Sequence, residues 1–556
     1  MFVITFITFH TYFESLVLFI NFCSLFTAMK RTAHRFALAI HYCIFAGSCL
    51  CAQTPTTCSI QIQDNEFWWV GIVNQGHLFP IQDGYDADLN SNCYGNQAQP
   101  LLLSSKGRSV WSDEPFKISC RSNVIELEKT SGIFETNSTG TSLRDAYLYA
   151  SNKYFPPSGK IPNEFLFKNP QYNTWIELLY NQNQEDILKY AKGILANGFP
   201  PGTLMIDDNW QEDYGTWQFH PRRFPNPKAL TDSLHNWGFK VMLWVCPFVS
   251  PDSEIFRKLQ NEDLLLKEFD GSPKLVRWWN GASAVLDLTD PKANEWFNHE
   301  LKTLTEKYGV DGFKLDAGDP EFYIGGYADK VVSPNEHTEL FNKLGLEYSF
   351  NEFRAGWKVG GQPLAQRLRD KGHTWSDLQV LIPDILLQGI MGYPFTCPDM
   401  IGGGEMGSFM NLSRINQDLV VRSAQCHAFM PMMQFSAAPW RILDSVRLDA
   451  VKKAVKLRAS YIPLIQQLAD QAARNGEPIV RYMSYQFPDQ GFEKVIDQFM
   501  LGERILVAPI LTSANTRTVK LPGGKWTDGR TKKIISGPKT IQIESGIDEI
   551  PFYIKN

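Results

Sequence analysis

Three aspartates stand in alike places along the chain. Asp208, Asp316 and Asp399 each lie just past a short apolar run, Thr203 to Ile206, Gly312 to Leu315 and Ile390 to Phe395. If those runs are parallel strands, their C-terminal ends gather the three carboxyls at one place. One such acid means little, because Asp also caps helices, but three make a pattern. Carboxyl pairs cleave glycosidic bonds: one attacks the anomeric carbon or activates water, and the other protonates the leaving oxygen, the two standing ~5–5.5 Å apart in retaining enzymes. Asp316 is the best nucleophile of the three. Ala317 and Gly318 follow it, leaving room for a ring and letting the backbone turn. Lys314, two residues earlier on the same side of the strand, supplies a cation that favours an ionised carboxyl. The plainer reading of Asp316 is a loop cap.

The partner acid is Asp370 or Asp377, both in the segment Gln366 to Leu378. Asp377 falls in the first turn of a helix starting near Trp375, where an acidic side chain serves the helix dipole. Asp370 precedes that helix in a polar loop beside Arg367 and His373, a better place for a proton donor. Arg354, Arg367, Trp244, Trp278, Trp279 and His427 are sugar-contact candidates, each with an ordinary alternative: Arg354 as a surface ion pair, Trp244 as core, His427 as a satisfied core histidine. No metalloprotease, deaminase or esterase-elbow spacing occurs, and no metal or cofactor is called for.

The elements that must position these residues follow a rhythm. From about residue 170 strand, loop and helix alternate. Strands are expected at Asn173 to Leu179, Thr203 to Ile206, Phe239 to Val245, Gly312 to Leu315, Gly356 to Gly360 and Ile390 to Phe395. Helices are expected at Asn183 to Asn197, Asn226 to Trp237, Asp290 to Tyr308, His337 to Tyr348 and Trp375 to Gln388. Asp290-Pro291 is an N-cap followed by proline at the first helical position. Repeated βα units over about 170–450, with no glycine-rich phosphate loop after the first strand, favour a (β/α)8 TIM barrel over a doubly wound open sheet. Residues 53–168 read as an N-terminal β-sandwich without long helix signals. Residues 169–465 read as the barrel and 466–556 as a C-terminal β-sandwich, with Leu521 to Gly524 as a turn and Trp526 opening a further element.

The chain has 556 residues, a formal net charge of −5 and scattered basic residues, so nothing suggests a nucleic-acid surface. Residues 1–52 read as a leader. Glu14 is the only acidic or basic residue other than His before Met29, and Met29-Lys30-Arg31 then precedes the apolar run Phe36 to Ala46. Export to a secreted or periplasmic location is the expectation, with an uncleaved membrane anchor as the alternative. Of the 10 cysteines, Cys93 and Cys120 are open to a disulfide or to two buried thiols. Asn137-Ser138-Thr139 and Asn411-Leu412-Ser413 are glycosylation sequons.

With these residues in view, the chain resembles glycoside hydrolase family 31 over roughly residues 60–556. Residues 312–319, GFKLDAGD, look like the family's nucleophile strand. Residues 390–403, IMGYPFTCPDMIGG, look like its later strand ending in an acid and paired glycines, and 501–509, LGERILVAP, resembles its segment after the barrel. The resemblance implies Asp316 as nucleophile. It selects Asp370 as acid/base, five residues before Trp375, although Arg367-Leu368-Arg369-Asp370 departs from the family's tryptophan-any-glycine-aspartate signature. It implies sugar contacts from Arg367, Asp208 and Asp399, and a pocket role for Trp440. The motifs TWIE at 174–177, MIDDNW at 205–210, WVCPF at 244–248 and WWNG at 278–281 look closest to the family's myogenesis-regulating glycosidase and bacterial α-galactosidase branch. That implies a retaining, exo-acting α-galactosidase acting on an oligosaccharide or glycoconjugate. An α-glucosidase or α-xylosidase is the alternative, and a non-catalytic carbohydrate-binding protein is the reading from a different class.

Overall fold

The computed structural model describes residues 55–556, and the expected leader and its export or anchoring role lie outside them. Eight parallel strands run around a barrel in chain order: Gln171–Asn173, Thr203–Ile206, Lys240–Val245, Gly312–Leu315, Phe350–Phe353, Gln366–Arg367, Thr396–Cys397 and Gln434–Phe435. The seventh and eighth close the ring, since Met432 N donates to Thr396 O at 3.2 Å and Ile401 N to Gln434 O at 2.8 Å. Inside, Gln434 Nε2 donates to Gln171 Oε1 at 2.8 Å and to Glu352 Oε2 at 2.7 Å, so polar side chains from the first, fifth and eighth strands meet within the barrel.

Local chemistry sets the helix starts. Asn183, Asn226 and Asp290 each accept a bond from a backbone N–H of the first turn of Gln184–Ala196, Pro227–Asn236 and Pro291–Tyr308. Pro227 and Pro291 fill first-turn positions whose N–H needs no partner. Gly309 ends the third helix at φ 75°, where a side chain would be strained.

Several expected elements move. The first strand stops at Asn173 and Trp175–Leu178 is helical, because Trp175 N turns to Asn173 Oδ1 at 2.8 Å. Gly356–Trp357 is extended but pairs with Gln97–Ala98 of the N-terminal sheet, not with the barrel. Ile390 ends the helix Trp375–Ile390, and the strand behind Asp399 is Thr396–Cys397. The strands Phe350–Phe353 and Gln366–Arg367, with no helix between them, were not anticipated. The helix Ser445–Asn475 runs straight through residue 465, where the barrel was expected to end.

Before the barrel lie a four-stranded sheet and four strands of a five-stranded sheet that Gly356–Trp357 completes, plus the helix Leu143–Tyr154, which the β-rich reading did not expect. A capping box starts that helix: Ser142 and Asp145 bond each other's backbone N–H. Cys93 and Cys120 are buried free thiols. After the barrel, strands from Val480 to Lys555 form one six-stranded antiparallel sheet. Residues 522–524 do not end a strand. They form a bulge within Thr516–Asp528, where Trp526 Nε1 bonds Pro522 O at 2.9 Å. Val519, Leu521 and Trp526 from either side of the bulge thereby join one core. Among the described residues no helix is long and apolar enough to cross a membrane.

Candidate active site

A cavity of about 280 Å³ opens at the C-terminal ends of the barrel strands. Its walls include Asp207, Asp208, Trp244, Lys314, Asp316, Arg354 and Asp370. The fourth strand delivers Asp316, which is buried. Its Oδ1 accepts from Arg354 Nε at 2.9 Å and from Ala317 N at 2.9 Å, and its Oδ2 accepts from Trp244 Nε1 at 3.1 Å. Burial pushes this carboxyl up, but Arg354, Lys314 and Arg367 outweigh it and hold Asp316 well below the usual carboxylate range.

Arg354 follows the fifth strand and grips the loop after Asp316. Its Nη1 and Nη2 donate to the two oxygens of Asp319 at 2.9 and 2.6 Å, and Nη1 also reaches Gly95 O of the N-terminal region at 2.8 Å. Lys314 points into the barrel and donates to Asp207 Oδ2 at 2.6 Å. Asp208 accepts from Tyr214 OH at 3.1 Å and from Asn280 Nδ2. Burial, with neighbouring Asp207, pushes the Asp208 carboxyl up to about 7.

Asp370 differs from Asp316 in exposure. Its side chain is 41% exposed, against 12% for Asp316. Arg367 Nη1 donates to Asp370 Oδ1 at 2.6 Å and to Asp399 Oδ1 at 3.0 Å. Arg367 and Asp399 are fully buried, so they stand behind Asp370 and not on the cavity wall. Three non-glycine residues just past the second, fourth and seventh strands take positive φ: Asn209 at 72°, Ala317 at 56° and Asp399 at 82°. Each costs about 1–3 kcal/mol, held in place by its surroundings, and such strain clusters at functional sites. For Asp399 the restraint is visible, since its Oδ2 accepts from Lys371 N at 2.8 Å and Gly404 N at 3.2 Å.

The structure therefore brings Asp208, Trp244, Trp279, Lys314, Asp316, Arg354 and Asp370 to one cavity, with Arg367 and Asp399 behind it. It does not bring His427 or Trp440 there. His427 is fully buried and its ring nitrogens face no polar partner, so burial, with Arg458 nearby, pushes it down to about 3. Trp440 packs on Tyr190 and Phe199 and borders a separate surface cavity. Trp278 stacks on Trp244 and supports Trp279 from behind. The sequence reading missed Trp175, Tyr180, Asp207, Tyr214, Asn280, Glu405 and Met406. Trp175, Asp207 and Asn280 stood inside quoted motifs. Glu405 and Met406 come from an irregular loop with no sequence signal, held by a bond from Trp175 Nε1 to Gly404 O at 3.0 Å.

A barrel whose strand ends converge on buried and half-exposed carboxyls offers the pair of acids that glycosidic cleavage needs. Residues 169–468, more than half of the chain, match the TIM-barrel domain of glycosyl hydrolase family 31, and residues 476–556 match that family's C-terminal domain. The chain belongs to glycosyl hydrolase family 31. It is 34% identical to the myogenesis-regulating glycosidase of Mus musculus, over 70% of this chain and 56% of the relative. It is 25% identical to alpha-glucosidase 2 of Bacillus thermoamyloliquefaciens, over 67% and 51%. It is 26% identical to the alpha-xylosidase XylQ of Lactiplantibacillus pentosus, over 79% and 60%. The chain thus spans a little over half the length of these relatives. In fold it is similar to a Flavobacterium johnsoniae GH31 dextranase complexed with glucose, with a TM-score of 0.81 at 20% identity, covering 90% of this chain and 66% of that one.

Proposed function

We propose that this chain is a retaining, exo-acting α-glycosidase with Asp316 as nucleophile and Asp370 as acid/base. The observation that carries the reading is the contrast between two carboxyls on one cavity. Asp316 is buried and kept ionised by cations, while Asp370 is half-exposed. In the first step Asp316 attacks the anomeric carbon. Its Oδ2 has a single donor and so keeps a lone pair for that bond. The bond from the anomeric carbon to the leaving oxygen breaks, and that oxygen takes the proton of Asp370. In the second step Asp370 removes a proton from water, water oxygen bonds the anomeric carbon, and Asp316 leaves as carboxylate, so the α configuration is retained. Asp208, fixed by Tyr214 and Asn280, accepts from sugar hydroxyls at the cavity floor, and exposed Trp279 offers a ring face at the mouth. A cavity of about 280 Å³ lies just below the ~300–1,000 Å³ range of small-molecule sites, which supports a single terminal sugar over an extended chain.

For the sugar, relatives named for glucose and xylose support a gluco- or xylo-configured residue over the galactose expected from the sequence. The substrate class in this reading is an oligosaccharide or glycoconjugate, met outside the cytosol if the N-terminal segment directs export. Initial rates on matched aryl α-glucoside, α-xyloside and α-galactoside, with Asp316→Ala as the blank, test it. An Asp316-dependent rate on glucoside or xyloside, with the α-anomer formed first by NMR, is the expected result. A dominant galactoside rate overturns the sugar preference, a β-anomer formed first overturns double displacement, and sugar binding without turnover establishes a binding protein.

A further inference from the structure

Directly behind Asp370, on the side away from the cavity, lies a buried charge pair that the reaction itself does not use. Lys371 follows Asp370 in sequence, and its side chain is 4% exposed. It donates to Asp384 Oδ2 at 2.5 Å, and the Asp384 side chain is 1% exposed in the middle of the helix Trp375–Ile390. The other oxygen, Asp384 Oδ1, has no hydrogen-bond donor; the His77 ring lies 3.8 Å from it.

A buried pair of this kind is a poor source of stability, because desolvating both charges costs about as much as their attraction returns. Its geometric effect is clear. The backbone of Lys371 is held on the other side, with its N–H on Asp399 Oδ2 at 2.8 Å and its carbonyl taking Glu405 N at 3.1 Å. On the other flank of Asp370, Arg369 N donates to Asn96 Oδ1 at 3.0 Å and Arg369 Nε to Asn74 Oδ1 at 2.6 Å. The loop carrying Asp370 is thus pinned on both flanks, and the Lys371 side chain ties it to the middle of the packed helix. Gly76, in the N-terminal segment that also carries Asn74 and His77, lies so close to Pro383 and Asp384 that a Cβ there would stand 2.6 Å from Asp384 N. That segment braces the helix that holds Asp384.

We propose that Lys371 and Asp384 are positioning residues that set the reach of Asp370 toward the leaving oxygen. The inference rests on Asp370 being the acid/base. A group that protonates the leaving oxygen matters most when that oxygen is a poor leaving group, and hardly at all when the leaving group departs unprotonated. Loosening Asp370 should therefore act selectively, according to the leaving group.

The test uses the full chain and the double substitution Lys371→Met with Asp384→Leu. It removes both charges together, so neither is stranded in the interior. kcat/KM is measured on a phenyl α-glycoside and on the glycosyl fluoride of the same sugar, with Asp370→Ala alongside and the urea unfolding midpoint as the control for folding. Displacing a catalytic group by about an ångström costs on the order of 10²-fold, so the phenyl glycoside should slow by about that factor and the fluoride by less than about 3-fold. Lys371→Arg, which keeps a cation beside Asp384, should lose less on the phenyl glycoside than the double variant does. An equal loss on both substrates, or no loss on either, overturns the positioning role. Should the double variant unfold more easily than the wild-type chain, the ratio of the two substrates still decides, because a loss of folded enzyme lowers both rates alike. If Asp370→Ala itself shows no leaving-group selectivity, the assignment of Asp370 fails; if it does and the double variant does not, only the positioning role fails.

Discussion

Replacing Arg354 by methionine keeps an unbranched apolar stem and removes the charged guanidinium head. It deletes the 2.9 Å bond to Asp316, both bonds to Asp319 and the tie to Gly95. A hydrogen bond to a charged group contributes about 1.5–3 kcal/mol, and one pH unit corresponds to about 1.36 kcal/mol, so the Asp316 carboxyl should rise by about 1–2 pH units. The sign follows from its role: Asp316 must be ionised to attack, so the acid limb of kcat/KM should move up by the same amount. The folded state holds Asp316 below its unfolded value. Its contribution to stability is therefore present above the unfolded value and lost as pH falls through the folded one, and the variant loses it at a higher pH than wild type does. Asp319, its side chain 3% exposed, would also lose its cation. Breaking a buried pair costs about 3–5 kcal/mol. Arg354→Met with Asp319→Asn should recover much of that stability without restoring the acid limb, which separates the two effects. The assay is kcat/KM against pH, with both chains also carrying Asp208→Asn so that the titration near 7 drops out of the profile, over the range where circular dichroism shows native structure. Acid limbs that coincide for wild type and Arg354→Met would refute the claim that Arg354 keeps the nucleophile ionised.

Two further outcomes are expected. Asp208 is held up to about 7 by burial and Asp207, so it becomes a full anion and a better acceptor for sugar hydroxyls as pH rises through that value. KM should fall over that interval in wild type and stay flat in Asp208→Asn, and a KM slope surviving in Asp208→Asn would move the titration to another group. Gly76→Ala should destabilise the fold by about 1–3 kcal/mol, because its Cβ would meet the Pro383 carbonyl and Asp384 N; an unchanged urea midpoint would show that the N-terminal segment yields there.

The sequence by itself determined the local features. Asn183, Asn226 and Asp290 are caps because their short oxygens reach first-turn N–H groups, and the helix starts they mark are where the structure has them. Lys314 and Asp316 share a side because a strand alternates, and the Thr203–Ile206 and Gly312–Leu315 strands are apolar enough to be recognised alone. Strands of two residues, such as Gln366–Arg367, Thr396–Cys397 and Gln434–Phe435, carry no periodicity. They exist only because neighbours far along the chain supply their hydrogen bonds, so the strand before Asp399 was misplaced and the last one missed. Tertiary structure also decided which polar residues meet. His427 and Trp440 lie in the same part of the chain as real wall residues, yet one faces the core and the other packs on Tyr190. Asp207 and Asp208 are adjacent and point apart by local alternation, but only the packing of distant elements places Lys314 beside one and Tyr214 and Asn280 beside the other. The grip of Arg354 on Gly95, and of Asn74 and Asn96 on Arg369, joins residues more than 250 positions apart. Contacts of that separation depend on the packing of whole elements, which local pattern does not specify.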